Sequence, residues 1–405
     1  MKRLLSVCLS LCIMVSVFVS FDITASAKTN LKKTTVSASN ISNGINVSWK
    51  KISGAKKYSV VKKTNNKTVK YLDKKVSAGK TYSYQVVAVK GKETSKSKAK
   101  SITRLLAPKN VKVQSYAGKT DCTLKGSKAD YVFDNVFTFD SKIGVKITWN
   151  KSKGANKYDI YRKVDNSKKY RKIKTVGNIS TYLDRESFFS VVNLSYKVVA
   201  RKNTSASDYS TTRKICYVEP SYIFTSSLSD ELLVSWTQVA GCDGYKLYRS
   251  LTGKSGSYSY IGKYTTKEYK YEEKNAELGK TYYYKLVAYK GSNNSVGLTI
   301  KEKYEPVMTV NLNVGDTSDS VQKQFKKTLA KINKDLKRNM SDLYQEVTFD
   351  KIMESVRIES KDEKVATVSK DYIITAVSQG TIKAPIIQKL GNFELEKGFI
   401  LINVK

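Results

Sequence analysis

Histidine is absent from all 405 residues, proline occurs four times, and 35 acidic side chains face 73 lysines and arginines. Without histidine the chain lacks the commonest general base and the commonest metal ligand. Carboxylates are poorly placed to substitute, because Asp362 and Glu363, an adjacent pair, would point to opposite faces of a strand. No glycine-rich phosphate loop, GxSxG elbow, zinc-spaced cysteines or DxDxDG calcium loop occurs. These absences argue against an enzyme and give no place to a cofactor or a metal. Cysteine is scarce too: Cys8 and Cys12 lie in the leader, and Cys122, Cys216 and Cys242 are too few and too odd in number for a disulfide framework. Long apolar runs are missing except for Leu4–Phe21, which follows Lys2 and Arg3 and precedes Ala25-Ser26-Ala27. That pattern reads as a signal peptide over residues 1–27. No later stretch approaches the roughly 20 apolar residues needed to span a bilayer, so the expected product is secreted, with no membrane span after cleavage. An LPxTG-type sorting sequence is also absent, so any cell-surface or cell-wall association is expected to be non-covalent.

What is abundant is positive charge, unevenly spread. The formal net charge is +38, and residues 28–104 alone hold 20 basic and two acidic side chains. Most of the cations are lysines, flexible hydrated point charges suited to loose attraction rather than bidentate reading of bases. The expected partner is therefore an anionic cell-wall or envelope polymer, with a polysaccharide or a host surface protein as alternatives and no specific nucleic acid. The plainer reading is a lysine-rich composition that simply solvates the surface.

One ten-residue phrase recurs: WKKISGAKKY at 49–58, WNKSKGANKY at 149–158 and WTQVAGCDGY at 236–245. Each copy places a glycine five residues after the tryptophan and a tyrosine nine after it, without insertion, which marks a repeated structural unit. INVSW, VKITW and LLVSW before the tryptophan, and YSVVKK, YDIYRK and YKLYRS after the last tyrosine, alternate with period two and read as strands. A second phrase follows each copy: TYSYQVVAV at 81–89, NLSYKVVAR at 193–201 and TYYYKLVAY at 281–289. Short strands, turn residues and no helical period in these units predict antiparallel β-sandwiches.

These residues resemble fibronectin type III domains, as found in tandem in exported surface proteins of Gram-positive bacteria. The resemblance implies that Trp49, Trp149 and Trp236, with Tyr58, Tyr158 and Tyr245, are structural core. It also implies corner hydrogen bonds from Tyr82 and Tyr282, six residues before Ala88 and Ala288, whereas Leu194 takes that place in the middle copy. The copies differ elsewhere. Only nine residues separate Val61 from Tyr71, room for a tight turn or for the loss of a strand; the middle copy carries an insertion, 114–142, in which YVFDNVFTF suggests an added strand pair. The third is dense in tyrosine, and Tyr258, Tyr260, Tyr264 and Tyr269 are candidates for an exposed ligand surface, against the plainer reading of strand propensity.

After residue 304 the period changes. Val321, Phe325, Leu329, Ile332, Leu336, Met340 and Leu343 follow steps of three and four, predicting one amphipathic helix over about 319–344 with Ser318 or Asp319 as its cap. LNVGDT at 312–317 and SKDEKVATVSKDYIITAVSQGTIKA at 360–384 resemble the group 2 bacterial immunoglobulin-like domain, with the helix inserted. The expected layout is a signal peptide at 1–27, fibronectin type III-like domains at 28–106, 107–218 and 219–304, and an immunoglobulin-like domain at 305–405. The expected function is non-enzymatic display or adhesion, with basic N-terminal modules drawn to envelope polymer; the alternative is an accessory carbohydrate-binding protein working through the tyrosines of the third domain.

Overall fold

A computed structural model describes residues 31–60, 63–65, 70–118, 121–122, 142–165, 167–339, 348–390 and 393–405. The signal peptide, the YVFDNVFTF segment, Met340 and Leu343 lie outside the described residues. The chain is all-β, a tandem of antiparallel sheet pairs carrying, among the described residues, two helices in its C-terminal part.

Each of the first three modules repeats one plan. In the first, Val36–Ile41, Gly44–Trp49 and Lys70–Asp73 form a three-stranded sheet. Lys63–Asn65, Lys57–Ser59, Val87–Lys90 and Glu93–Lys96 form the opposing one, with Thr81–Tyr84 and Lys100–Thr103 paired beside it. The segment between Val61 and Tyr71 thus keeps its strand, Lys63–Asn65, which pairs back on Lys57–Ser59. In the second module Lys109–Ala117, Ile143–Asn150 and Thr181–Asp184 oppose a sheet built on Lys157–Val164 and Val191–Lys202. The first strand runs on to Ala117 and the next begins at Ile143, so the insertion is shorter than the expected 114–142. In the third module Ile223–Ser227, Leu232–Trp236 and Lys270–Glu273 oppose Ser259–Tyr264, Gly244–Ser250, Thr281–Lys290 and Leu298–Lys303.

Alternation in sequence becomes alternation in burial. Ile45, Val47 and Trp49 are buried, as are Val145, Ile147 and Trp149, and Leu232, Val234 and Trp236, while the residues between them are only partly covered. The glycine of the repeated phrase has a backbone reason: Gly54, Gly154 and Gly241 have φ of 81°, 84° and 77°, a left-handed conformation that costs a side-chain-bearing residue about 1–2 kcal/mol.

In the C-terminal module Met308–Leu312, Phe393–Val404, Gly380–Leu390 and Val356–Ile358 form one sheet and Thr317–Ser318, Ile374–Ala376 and Ala366–Val368 the other. Met308–Leu312 runs parallel to Phe393–Val404. The long helix spans Ser320–Asn339 and buries Val321, Phe325 and Leu329. A second helix, Phe349–Ser355, was not expected; seven residues are too few to display a period in the sequence. Phe349 packs its ring edge-on to Tyr372 at 6.0 Å, which anchors this short turn to the core.

The described residues divide into two compact units: one takes those up to Gln114 with Val145–Asp184 and Asn193–Ile215, the other Ser115–Gly144, Arg185–Val192 and Cys216–Lys405. Within the first unit, the amide of Asn40 donates to Thr103 O in its own module and to Ala206 O in the next, each at 2.9 Å. Arg104 fills the turn between the first two strands, its guanidinium donating to the carbonyls of Ile41, Ser42 and Gly44. Within the second unit, Tyr304 donates to the carbonyls of Leu228 and Ser229, Ser229 donates through its N–H and hydroxyl to Glu396, and Phe399 is buried in the third module's core. Asp121–Cys122, from the insertion, joins the edge of the third module's sheet, parallel to Thr299 and Ile300.

Candidate binding faces

The thrice-used tryptophan and tyrosine face inward. Trp49, Trp149 and Trp236 are 6, 4 and 4% exposed, and their rings lie 5.6, 5.4 and 5.8 Å from those of Tyr58, Tyr158 and Tyr245, all tilted. Each tyrosine hydroxyl accepts a backbone N–H six residues before it, from Ile52 at 2.7 Å, Ser152 at 2.8 Å and Val239 at 2.8 Å. The hydroxyl thereby ties the turn of the phrase to the ring that fills the core. The indole N–H of each tryptophan has no acceptor among the described residues. Burial pushes the Tyr245 phenol up to about 12. Tyr82 and Tyr282 accept N–H bonds from Ser77 and Glu277 at 2.8 and 2.9 Å; Tyr282 is buried, Tyr82 only half-buried, and the buried Leu194 has no hydroxyl to offer.

A second recurrent feature escaped the sequence reading. Asp73, Asp184 and Glu273 end corresponding strands and accept hydrogen bonds from the buried hydroxyls of Tyr84, Tyr196 and Tyr284. Asp184 also pairs with Arg162 at 2.8 Å, and Glu273 with Arg249. The legible signal was a tyrosine two residues before each acid, in YLD at 71–73, YLD at 182–184 and YEE at 271–273. Burial, then the Glu273 charge, push the Tyr271 phenol up to about 12.

The four tyrosines proposed as a ligand surface are placed differently from one another. Tyr264 is half-buried against the core, its ring 5.2 Å from that of Trp236, and so is not an exposed contact. Tyr269 is 56% exposed, but its backbone carbonyl binds Trp236 N–H on the opposite sheet. Tyr260, 57% exposed, stands on the outer face of the larger sheet. There it meets Tyr248 edge-on at 5.6 Å. The outer face also holds residues the sequence reading passed over. Lys285 places its ammonium 4.6 Å from the Tyr248 ring and 5.1 Å from the Tyr258 ring. Lys246 and Lys263 lie 5.0 and 4.7 Å from the Tyr289 ring, and Lys301 lies 5.9 Å from that of Tyr283. A bond to the Tyr289 hydroxyl holds the Lys263 ammonium above its usual range. Gly297 makes room for the stem of Lys285, whose Cγ would lie 2.9 Å from a Cβ there. In the second module Lys197 likewise sits 4.4 Å from the Tyr170 ring and 5.1 Å from the Tyr209 ring, opposite Tyr161.

In the first module every lysine whose burial is described is exposed, and among the described residues none is in an ion pair. Its two acids are half-buried. Asp73 accepts the Tyr84 hydroxyl at 2.9 Å, and one carboxylate oxygen of Glu93 is buried. The outward field is consequently cationic. Among the described residues no cluster of three His, Cys, Asp or Glu could hold a metal ion, and no helix is long and apolar enough to cross a membrane.

No protein-family model matches the chain, and no curated protein does. Solved structures similar to it include the FN1–FN3 domains of chicken CNTN1, 17% identical, over 66% of this chain and 96% of that one, with a TM-score of 0.22. A two-domain fibronectin type III segment of chicken tenascin is 15% identical over 49% of this chain and 99% of that one, with a TM-score of 0.25.

Proposed function

We propose that the chain is an exported, non-enzymatic surface protein for display or adhesion, held at the cell envelope by attraction between its basic first module and an anionic polymer. The observation that carries this reading is the asymmetry of the first module: its many lysines are exposed, and its two acids are few and half-buried. Attraction of this kind fades over about 8 Å at physiological salt, so it favours a dense polyanion within reach rather than a distant charge. The C-terminal module, which resembles an immunoglobulin-like domain, serves on this reading as a further display element.

The test is retention of the full mature chain on purified envelope polymer at two ionic strengths. Binding is expected to fall steeply with salt. Replacing Lys50, Lys51, Lys56, Lys57, Lys74 and Lys75 by Gln should remove most of it while leaving the melting temperature in place. Salt-insensitive retention that survives the six substitutions would refute the reading.

A further inference from the structure

The outer face of the third module's larger sheet carries a row of cations ordered by strand register. Lys246 and Lys263 stand opposite one another on neighbouring strands, and Lys246 also faces Val287. Lys285 lies on the next strand, two residues from Val287, and faces Thr299; Lys301 lies on the strand beyond, two residues from Thr299. Each diagonal step combines one strand spacing with two residue rises, about 8 Å. The four lysine positions thus form an oblique line across four strands. Tyr248 and Tyr260 flank it on one side and Tyr289 on the other, with Tyr283 next to Lys301.

Three features mark this line as more than solvated surface. The ammonium groups are held over phenol rings rather than waving free, so less side-chain entropy is lost when they bind a partner. Nearby acids are engaged elsewhere: Asp243 pairs with Lys290 at 2.6 Å and Glu305 with Lys303 at 2.7 Å. Among the described residues no carboxylate lies within 4 Å of the four lysines in the row. Lastly, the corresponding cross-strand place in the second module reads differently. Asp159 and Arg201 stand where Lys246 and Tyr289 stand here, and they satisfy each other at 2.7 Å. Among the described residues that acid–base pair has no counterpart in the third module's row, where the Asp243 charge acts on Lys263 without an ion pair between them.

We infer that this face binds a linear acidic polysaccharide, a chain of carboxylate-bearing sugars lying along the diagonal of Lys263, Lys246, Lys285 and Lys301. Carboxylates meet the ammonium groups, and sugar hydroxyls meet the phenol groups between them. The rings favour a glycan over a single-stranded nucleic acid, because stacking bases need open aromatic faces, whereas lysines lie over the rings of Tyr248, Tyr258, Tyr283 and Tyr289 and leave Tyr260 as the exposed one. The inference concerns a different module from the N-terminal attraction and does not depend on it.

The experiment titrates the full mature chain with a defined oligouronate and, separately, with a neutral oligosaccharide of equal length, a polyphosphodiester and an oligonucleotide. The oligouronate should bind, and the Lys285→Gln/Lys301→Gln double variant should weaken it at least tenfold. Lys301→Arg, which keeps the charge, should retain affinity within about threefold, and so should the six-lysine variant of the first module. Unchanged affinity in the double variant would overturn the inference. Equal binding of the neutral sugar, or tighter binding of the phosphodiester or oligonucleotide, would overturn it as well. Loss confined to the first-module variant would also sink it while sustaining the N-terminal reading; loss confined to the double variant would support it whatever the envelope-polymer result.

Discussion

Gly54 and Gly154 hold the same place in two copies of one phrase, and both adopt a left-handed backbone. Their surroundings differ. A Cβ at Gly54 would meet nothing nearer than Lys90 Cδ at 3.8 Å, whereas at Gly154 it would lie 2.5 Å from the Cα of Gly79 in the first module. Gly54→Ala should therefore cost about 1–2 kcal/mol of backbone strain alone. Gly154→Ala should cost clearly more, because backbone must move at the junction of two modules. Urea unfolding of both full-length variants checks this, and equal losses would show that the contact with Gly79 does not matter. The need for glycine was legible from the spacing. The neighbour that makes one copy stricter was not, since Gly79 is 75 residues away in the chain and nothing local announces it.

At the scale of strands and helices, alternation carried the assignment well wherever one face is buried, and failed where elements are short. Lys63–Asn65 and Phe349–Ser355 are too brief to show a period, and packing on neighbours, not propensity, holds them. The strand ending in Asp184 illustrates what alternation hides. An acid at an inward position looks like an error in a strand pattern, yet Arg162 and the Tyr196 hydroxyl both reach it. Asp184→Ala would strand a buried guanidinium, and a loss of about 3–5 kcal/mol is expected. Asp73→Ala, where a tyrosine hydroxyl is the buried partner, should lose about 1–3 kcal/mol. Denaturant midpoints of the two variants test the order; an equal loss would mean the arginine adds nothing.

For the whole molecule, the informative group is Glu396, which joins the third and fourth modules within one unit. Burial raises its carboxyl above the usual 4.5, partly offset by the N–H and hydroxyl of Ser229, with Asp230 raising it further and Lys361 lowering it. A raised carboxyl stabilises the fold when protonated. Its contribution is complete below about 4.5 and is lost as pH rises through the elevated value. Glu396→Gln keeps an acceptor for Ser229 but removes the titration. The melting temperature of wild type relative to this variant should therefore fall as pH rises from 4.5 into the elevated range. A constant difference across that range would show that the joint does not sense pH. Glu219 and Glu231, raised mainly by burial, remain in both proteins and cancel in the comparison.

The sequence by itself determined the local grammar: which residues alternate, where a tryptophan needs a tyrosine partner, where only glycine can turn, and how strongly lysine prevails in the first module. Those features depend on near neighbours and on side-chain chemistry, which a linear chain displays. Tertiary structure alone decided that Tyr264 turns inward, that Asp121–Cys122 completes another module's sheet, and that Lys246, Lys263, Lys285 and Lys301 form one line. Strand register makes that line by bringing residues scattered over 56 positions to within about 8 Å of the next in the row, a juxtaposition that no local pattern encodes.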